Sequence, residues 1–60
     1  MNVYQENGYK DRADYLRQMA ESLDLMESTV WQLADLLGPG EDFDGLVVTC
    51  QDAAEHQFFN

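Results

Sequence analysis

A length of 60 residues, a formal net charge of −9 and a single cysteine restrict what this chain can be. A chain this short forms one domain at most and hides only about 60% of its unfolded surface, so a deep catalytic cleft is hard to build. One cysteine excludes an internal disulfide and a thiolate zinc cluster, and it favours a reducing, cytoplasmic setting. The surplus of acids repels phosphate backbones and anionic lipid, so neither nucleic acid nor a membrane is an expected partner.

The charges are unevenly placed along the chain. All three cations, Lys10, Arg12 and Arg17, precede residues 18–60, which contain nine acids and no Lys or Arg. A net charge far from zero keeps a small protein dispersed, and solubility is the first explanation for it. The N-terminus lacks the apolar core of a signal peptide, and no apolar run has the length of a membrane helix. We therefore expect a cytoplasmic protein.

The first predicted helix follows a stretch without periodicity. Residues 1–10 contain the turn signal Asn7-Gly8 and are expected to be a loosely ordered lead-in, whereas residues 11–60 are expected to form a single three-helix domain. Asp11 has the character of a helix cap, and the pattern after it predicts a helix over 12–22. The apolar residues at helical spacing are Leu16, Met19, Ala20 and Leu23.

A second helix is predicted over 25–37. Asp24 and Glu27 have the spacing of a capping box, in which two side chains satisfy free amides at the helix start. Gly38 and Pro39 end the helix, because glycine readily adopts the left-handed conformation and proline cannot continue a helix. The apolar seam of this helix consists of Met26, Val30, Leu33, Ala34 and Leu37.

A third helix is predicted after Gly40. Glu41, Asp42 and Asp44 cluster there, and acids at a helix start interact favourably with the positive end of the helix dipole. Gly45 and the adjacent valines weaken this helix locally. Its apolar face consists of Phe43, Leu46, Val47, Cys50, Ala54 and Phe58.

The first two predicted helices have the spacing of a helix-turn-helix. Residues 18–33 provide a small residue in the first helix, a tight turn at Asp24 and apolar anchors in the second helix. We therefore predict an all-α fold, a small three-helix domain with a helix-turn-helix-like pairing of the first two helices. A DNA-reading helix needs cations toward phosphates, and the second helix has none. A degenerate DNA-binding helix-turn-helix is accordingly the third candidate function.

No group of residues predicts catalysis, a metal or a cofactor. Residues 41–45 resemble part of a calcium-binding loop, but that frame places Gly40 and Gln51 where two of the ligands belong. Cys50 lies on the apolar face of the third helix, where a cysteine behaves as a small hydrophobe. His56 lies about 240° around the helix from it, so the two cannot form a nucleophile and base pair. We predict a protein that is not an enzyme.

Several large apolar residues lie off the helix seams and form the candidate protein contact. Aromatic side chains rimmed by acids are typical of protein-binding patches, although in so small a domain the tryptophan could equally complete the core. Three short helices cannot enclose all of these residues, so we also expect a weak homodimer that strengthens with salt. The candidate contact residues are Trp31, Leu36, Val48, Phe58 and Phe59.

Two segments carry a resemblance to a known group of proteins. GYKDRADYL (8–16) and LADLLGPGEDFDGLV (33–47) are similar to very short acidic proteins of Gram-positive bacteria that often occur near mobile elements. The resemblance extends to about Ala54, and the HQFFN end departs from it. It implies a bacterial source and transfers no functional residues.

The leading functional prediction is a non-catalytic protein-interaction module, regulatory in a bacterial or mobile-element process, whose partner is another protein. The alternative is an acidic DNA mimic that occupies a cationic site of a nucleic-acid-binding protein. Salt distinguishes the two, because a mimic loses its partner steeply as salt rises and an apolar contact does not.

Overall fold

The computed structural model of the protein describes residues 2–56, and every regular element in this range is a helix. α3 contacts both α2 and α4, and α2 also contacts α4, so the three long helices surround one core. This confirms the small all-α domain and the pairing of its first two long helices. None of the described helices combines the length and the apolar composition that a bilayer span requires. The elements are α1 (Val3–Glu6), α2 (Arg12–Leu23), α3 (Glu27–Leu37), a 3₁₀ helix (Pro39–Glu41) and α4 (Gly45–His56).

The one-turn helix α1 lies within the segment expected to be a lead-in. Asn2 caps it by accepting a hydrogen bond from the Gln5 amide at 2.9 Å. The Asn7 side chain closes the other end by donating to the Val3 carbonyl at 2.8 Å. A single turn is too short to show hydrophobic periodicity, so the sequence pattern did not reveal it. Loose order of residues 1–10 stays a prediction, and the structure adds that Tyr4 packs against the core.

α2 begins where it was predicted and ends one residue later. Asp11 is extended, and its side chain accepts a hydrogen bond from the Asp14 amide at 2.9 Å, which confirms the predicted cap. At the other end Asp24 is left-handed, with φ of 57°. Its amide and that of Leu25 donate to carbonyls of the last turn of α2. Aspartate thus ends the helix in the conformation that glycine usually supplies.

The capping box predicted for the second helix is wrong. α3 begins at Glu27, and its N-cap is Met26, whose side chain makes no capping hydrogen bond. Asp24 serves as the C-cap of α2, so residues 24–26 form the turn between the two helices. Because Met26 precedes the helix, its side chain is 72% exposed and does not join the apolar seam.

The core lies between α2, α3 and α4 and consists of aliphatic side chains, Cys50 and the ring of Tyr15. Complete burial of one such apolar side chain stabilises the fold by roughly 1.5 to 3 kcal/mol. The middle residues of the predicted apolar seams of α3 and α4 are buried, which confirms that part of the prediction, whereas Leu37 at the end of α3 is exposed. The fully enclosed apolar residues are Leu16, Val30, Ala34, Leu46 and Cys50.

The predicted stop at Gly38 and Pro39 is confirmed. Gly38 has a φ of 89°, and its amide donates to the Ala34 carbonyl at 2.8 Å. Pro39 then opens the 3₁₀ helix, so α4 does not start until Gly45. Residues 42–44 consequently form a short link between two helical segments, beside the N-terminal end of α2.

Candidate protein-binding groove

A buried carboxylate, Asp42, links α2 and α1 to the segment before α4. Its side chain is 1% exposed. Arg12 donates two hydrogen bonds to it, from Nε to Oδ2 at 2.7 Å and from Nη2 to Oδ1 at 3.2 Å. The Tyr4 hydroxyl donates to Oδ2 at 2.6 Å. The sequence-based interpretation of Asp42 as a helix-capping acid is therefore wrong, because its carboxylate is the acceptor of a buried ion pair.

Two further hydrogen bonds connect these side chains to the backbone. The Tyr15 hydroxyl donates to the Asp42 carbonyl, and Arg12 Nη2 donates to the Ala34 carbonyl of α3 at 3.2 Å. Within residues 2–56, no buried side-chain nitrogen or oxygen lacks a hydrogen-bond partner. Burial of a charged group is tolerated when its hydrogen bonds are satisfied in this way. We call Asp42, Arg12, Tyr4 and Tyr15 the Asp42 network.

The three donors of the Asp42 network keep their protons across the neutral pH range. Burial raises the pKa of Tyr4, and the hydrogen bond to Asp42 raises it further. The hydrogen bond to Asp42 also raises the pKa of Arg12. Burial, assisted by neighbouring ionisable groups, raises the pKa of Tyr15 to about 12. A group that exchanges protons in catalysis has a pKa near the working pH, so these donors are suited to holding the structure in place.

Phe43 follows Asp42 directly and joins an aromatic cluster. Its ring stacks on Tyr15, with centroids 4.3 Å apart and an angle of 19° between the planes. Tyr4 lies 5.6 Å from Phe43 in a tilted arrangement, and Tyr9 meets Tyr15 edge-on at 4.8 Å. Offset and edge-to-face contacts are the favourable arrangements for aromatic rings. Phe43 is nevertheless 39% exposed, so one side of the cluster faces solvent.

The exposed side of the cluster forms one end of a groove between α2 and α4. The groove has a volume of about 480 Å³. Six of its lining residues are aromatic or aliphatic, and four are exposed, uncharged polar residues. Among residues 2–56, no charged side chain lines it, although the chain as a whole has a net charge of −9. The lining residues are Tyr9, Tyr15, Met19, Leu23, Phe43 and Val47, with Asn7, Gln18, Ser22 and Gln51.

Acids flank the groove on the α4 side. Val48 and Glu55 lie within about 60° of Gln51 around α4, and all three residues are exposed. Asp44, just before the helix, continues the same line and is also exposed. α4 contains no Lys or Arg along its length, Gly45–His56. This edge of the groove is therefore negatively charged.

The α2 side of the groove has a different charge balance. Asp14 and Glu21 lie within about 60° of Gln18 around α2. Arg17 pairs with both acids, at 2.6 Å from Asp14 and 3.2 Å from Glu21. A hydrogen bond from the Lys10 amide and the contact with Arg17 lower the pKa of Asp14. The two edges of the groove thus differ, because the acids of α2 are partly neutralised.

The structure describes three of the five predicted contact residues. Trp31 is half-buried and packs against the core. Leu36 is 80% exposed and lies about 140° from Trp31 around α3, so the two do not form one surface. Val48 is 65% exposed on α4 and is not one of the residues that line the groove. Phe58 and Phe59 lie outside the described residues. A protein contact through these five residues stays a prediction.

Neither Cys50 nor His56 has the surroundings of a residue that takes part in covalent chemistry. Cys50 is completely buried, and burial raises the pKa of its thiol, so the reactive thiolate is disfavoured. His56 is exposed, and its Nδ1 lies 3.6 Å from an oxygen of Asp52 one turn earlier. Among residues 2–56, no group of three His, Cys, Asp or Glu side chains is arranged to hold a metal ion.

Sequence reasoning missed the groove because its residues come from three separate segments. The apolar residues of α2 were assigned to the core, and Phe43 was assigned to the apolar face of the third helix. One usable signal was composition. Tyr4, Tyr9 and Tyr15 are the three tyrosines of the chain, and all lie in its first quarter beside the three cations. That grouping draws attention to the N-terminal region, but it does not identify Asp42 as the common acceptor of the hydrogen bonds from Tyr4 and Tyr15.

Comparison with known proteins supplies no relative from which a function could be transferred. No family model matches the chain, and no curated protein or solved structure is significantly similar to it. The resemblance to short acidic proteins of Gram-positive bacteria stays a prediction.

Proposed function

We propose that the protein is a non-catalytic protein-interaction module that binds its partner through the groove between α2 and α4. The observation that carries the proposal is a groove with six aromatic or aliphatic lining residues and, among residues 2–56, no charged lining residue, on a chain with nine surplus acids. A concave surface that combines aromatic and aliphatic residues with uncharged polar ones is typical of sites that bind other molecules. An aromatic cluster at one end supplies the residue types that dominate binding energy in protein interfaces.

The Asp42 network supports this proposal because it fixes the aromatic end of the groove before any partner arrives. Asp42 accepts hydrogen bonds from Tyr4 and Arg12 through its carboxylate and from Tyr15 through its carbonyl. These bonds hold Phe43, the next residue, against the Tyr15 ring. A surface that is already ordered loses less conformational entropy on binding, which favours affinity.

A regulatory role in the bacterial cytoplasm, in a host or mobile-element process, belongs to the same proposal. It is supported by the resemblance of the two sequence segments and by a single cysteine that is buried and carries no structural bond. A small module without catalytic groups acts by occupying a surface of its partner or by altering the partner's assembly.

Photo-cross-linking in the cells from which the sequence comes tests the proposal. A photoreactive phenylalanine derivative replaces Gln51, which is exposed and lines the groove. The matched control carries the same group at Gln32, an exposed glutamine of α3 away from the groove. We expect one discrete protein adduct from position 51 that is absent from position 32. Adducts that are identical at the two positions, or none at position 51, would contradict the proposal.

A further inference from the structure

We infer that the partner segment is a cationic amphipathic helix, which lies along α2 and α4 with its apolar side chains in the groove and its Lys or Arg side chains toward α4. This inference rests on the proposed function and specifies the chemistry of the partner. Three properties of the groove carry it: its length, the backbone around it and the charge difference between its edges.

The length of the groove matches two turns of a helix. Its α2 wall extends from Tyr15 to Leu23, which at the rise of an α-helix is about 12 Å. A bound helix places side chains i, i+4 and i+7 along one line of this length. Phe43 and Tyr9 at one end and Leu23 at the other provide apolar contacts for the first and last of these anchors.

The backbone around the groove favours a helix over an extended peptide. An extended peptide gains most of its affinity by adding a strand to the free edge of a sheet. Within residues 2–56 every regular element is helical, so the walls of the groove present side chains and no strand edge. A helix satisfies its own backbone hydrogen bonds and needs only side-chain contacts, which is what the groove offers.

The charge difference between the two edges determines which sign of charge the partner helix should carry and which way its charged face should point. Arg17 partly offsets the charges of Asp14 and Glu21 on the α2 edge. Asp44 and Glu55 on the α4 edge lie on or beside a helix without a Lys or Arg. Cations of the partner are therefore attracted to the α4 edge. A second copy of this chain fits the groove poorly, because it would add another nine surplus negative charges.

Three fluorescently labelled peptides of about 16 residues test the inference against the full-length protein by fluorescence anisotropy. The first has Leu or Phe at one helical face and Lys elsewhere. The second replaces each Lys with Glu, and the third has the composition of the first in an order that destroys the apolar face. We expect the first peptide to bind at least about tenfold more tightly than either of the others. Its affinity should fall as the salt concentration rises.

Charge substitutions at exposed positions of the protein test the orientation. Gln51→Lys adds a cation at the α4 edge. We expect it to weaken the binding of the Lys peptide at least about threefold. We expect a smaller effect of Gln18→Lys on the α2 edge, because Arg17 already neutralises part of the negative charge of that edge. Gln32→Lys on α3 is the matched control, with the same change of charge and unaltered binding. Circular dichroism of each variant verifies that the helices are retained.

Several outcomes would overturn the inference. One is equal binding of the ordered and scrambled Lys peptides, and another is equal or tighter binding of the Glu peptide. A third is an equal effect of the substitutions at Gln51 and Gln32. Absence of binding by the Lys peptide overturns it as well. If cross-linking from position 51 still captures a partner that lacks a basic helix, the proposed function as an interaction module holds. Only the inferred chemistry of the partner is then wrong.

Discussion

The apolar core between α2, α3 and α4 and the Asp42 network at the N-terminal end of α2 stabilise the fold through different interactions. The core consists of Leu16, Val30, Leu46 and their neighbours, whose burial contributes free energy in proportion to the area removed from water. The Asp42 network consists of directional hydrogen bonds, which hold only at particular distances and angles.

This difference separates the stability of the molecule from the shape of its groove. Hydrophobic burial tolerates substitutions that preserve volume, so the core keeps the helices together without fixing one side chain. The Asp42 network places Phe43 against Tyr15, and these two rings form one end of the groove. Loss of a core residue is therefore expected to unfold the domain, whereas loss of a network residue is expected to alter the groove as well.

The largest effect is expected in the core. Leu46→Ala removes a side chain with no exposed surface, and such a change costs about 2 to 5 kcal/mol. A domain of this length has a free energy of unfolding of only about 3 to 9 kcal/mol, so much of the variant should be unfolded. Leu36→Ala is the matched control, because Leu36 is 80% exposed and its loss should change stability by under about 0.5 kcal/mol. Urea unfolding followed by circular dichroism measures both, and equal midpoints would show that Leu46 is misplaced.

For the Asp42 network we expect a loss in the lower half of the range given for Leu46→Ala. Arg12→Ala leaves the buried Asp42 carboxylate with fewer donors, and removal of one partner of a buried ion pair costs about 3 to 5 kcal/mol. We expect a value near 3 kcal/mol, because Tyr4 still donates to the carboxylate and Arg12 is 24% exposed. A double-mutant cycle with Asp42→Ala should show a coupling of at least about 1 kcal/mol. Additive effects of the two substitutions would mean that the pair does not form in solution.

The network also predicts how stability depends on alkaline pH. The pKa of Tyr15 is raised to about 12 in the fold, above its ordinary value of 10.0, because burial favours the neutral hydroxyl. The contribution of the neutral Tyr15 hydroxyl to the free energy of unfolding is therefore fully present below pH 10. It is lost as the pH rises toward 12. Melting temperatures measured across this range should fall less steeply for Tyr15→Phe, which has no proton to lose. That variant should also be less stable at neutral pH by about 1 kcal/mol, since its hydrogen bond to Asp42 is gone. If the melting temperatures of the two proteins fell in parallel with rising pH, Tyr15 would not be the group that causes the loss of stability.

The smallest effect is expected at surfaces that belong to neither region. Leu36 and Val48 are exposed on α3 and α4, and we expect weak self-association through these helices that strengthens as salt screens the negative charge. Sedimentation at low and high micromolar protein and at two salt concentrations measures it. Val48→Asp should weaken the dimer without altering the circular dichroism spectrum. A monomer mass under every condition would leave these side chains as ordinary exposed apolar residues.

Features that depend on neighbouring residues could be predicted from the sequence. Asp11 caps α2, and Gly38 with Pro39 ends α3, because each acts on backbone groups within one turn of itself. The apolar spacing of Val30 and Ala34 identifies the buried face of α3 for the same reason. These local rules were sufficient for the three long helices and their order.

Features that depend on distant residues could not be predicted in this way. Arg12 and Asp42 are 30 positions apart, and each has several alternative partners of opposite charge in the sequence. Asp24 shows a related ambiguity. It satisfies the pattern of an N-cap for α3 and of a left-handed C-cap for α2, and the structure uses it as the second. Only the packing of the helices decides between such alternatives.

The position of Trp31 gives the molecule a useful optical property. It is the single tryptophan of the chain, half-buried against the core, and it does not line the groove. We therefore expect its emission to report whether the helices are packed together, and to change little when the groove is occupied. A titration that leaves the emission of Trp31 unchanged while a labelled peptide becomes immobilised would show occupancy of a domain that remains folded. A shift of that emission to longer wavelength would show instead that the peptide had opened the core.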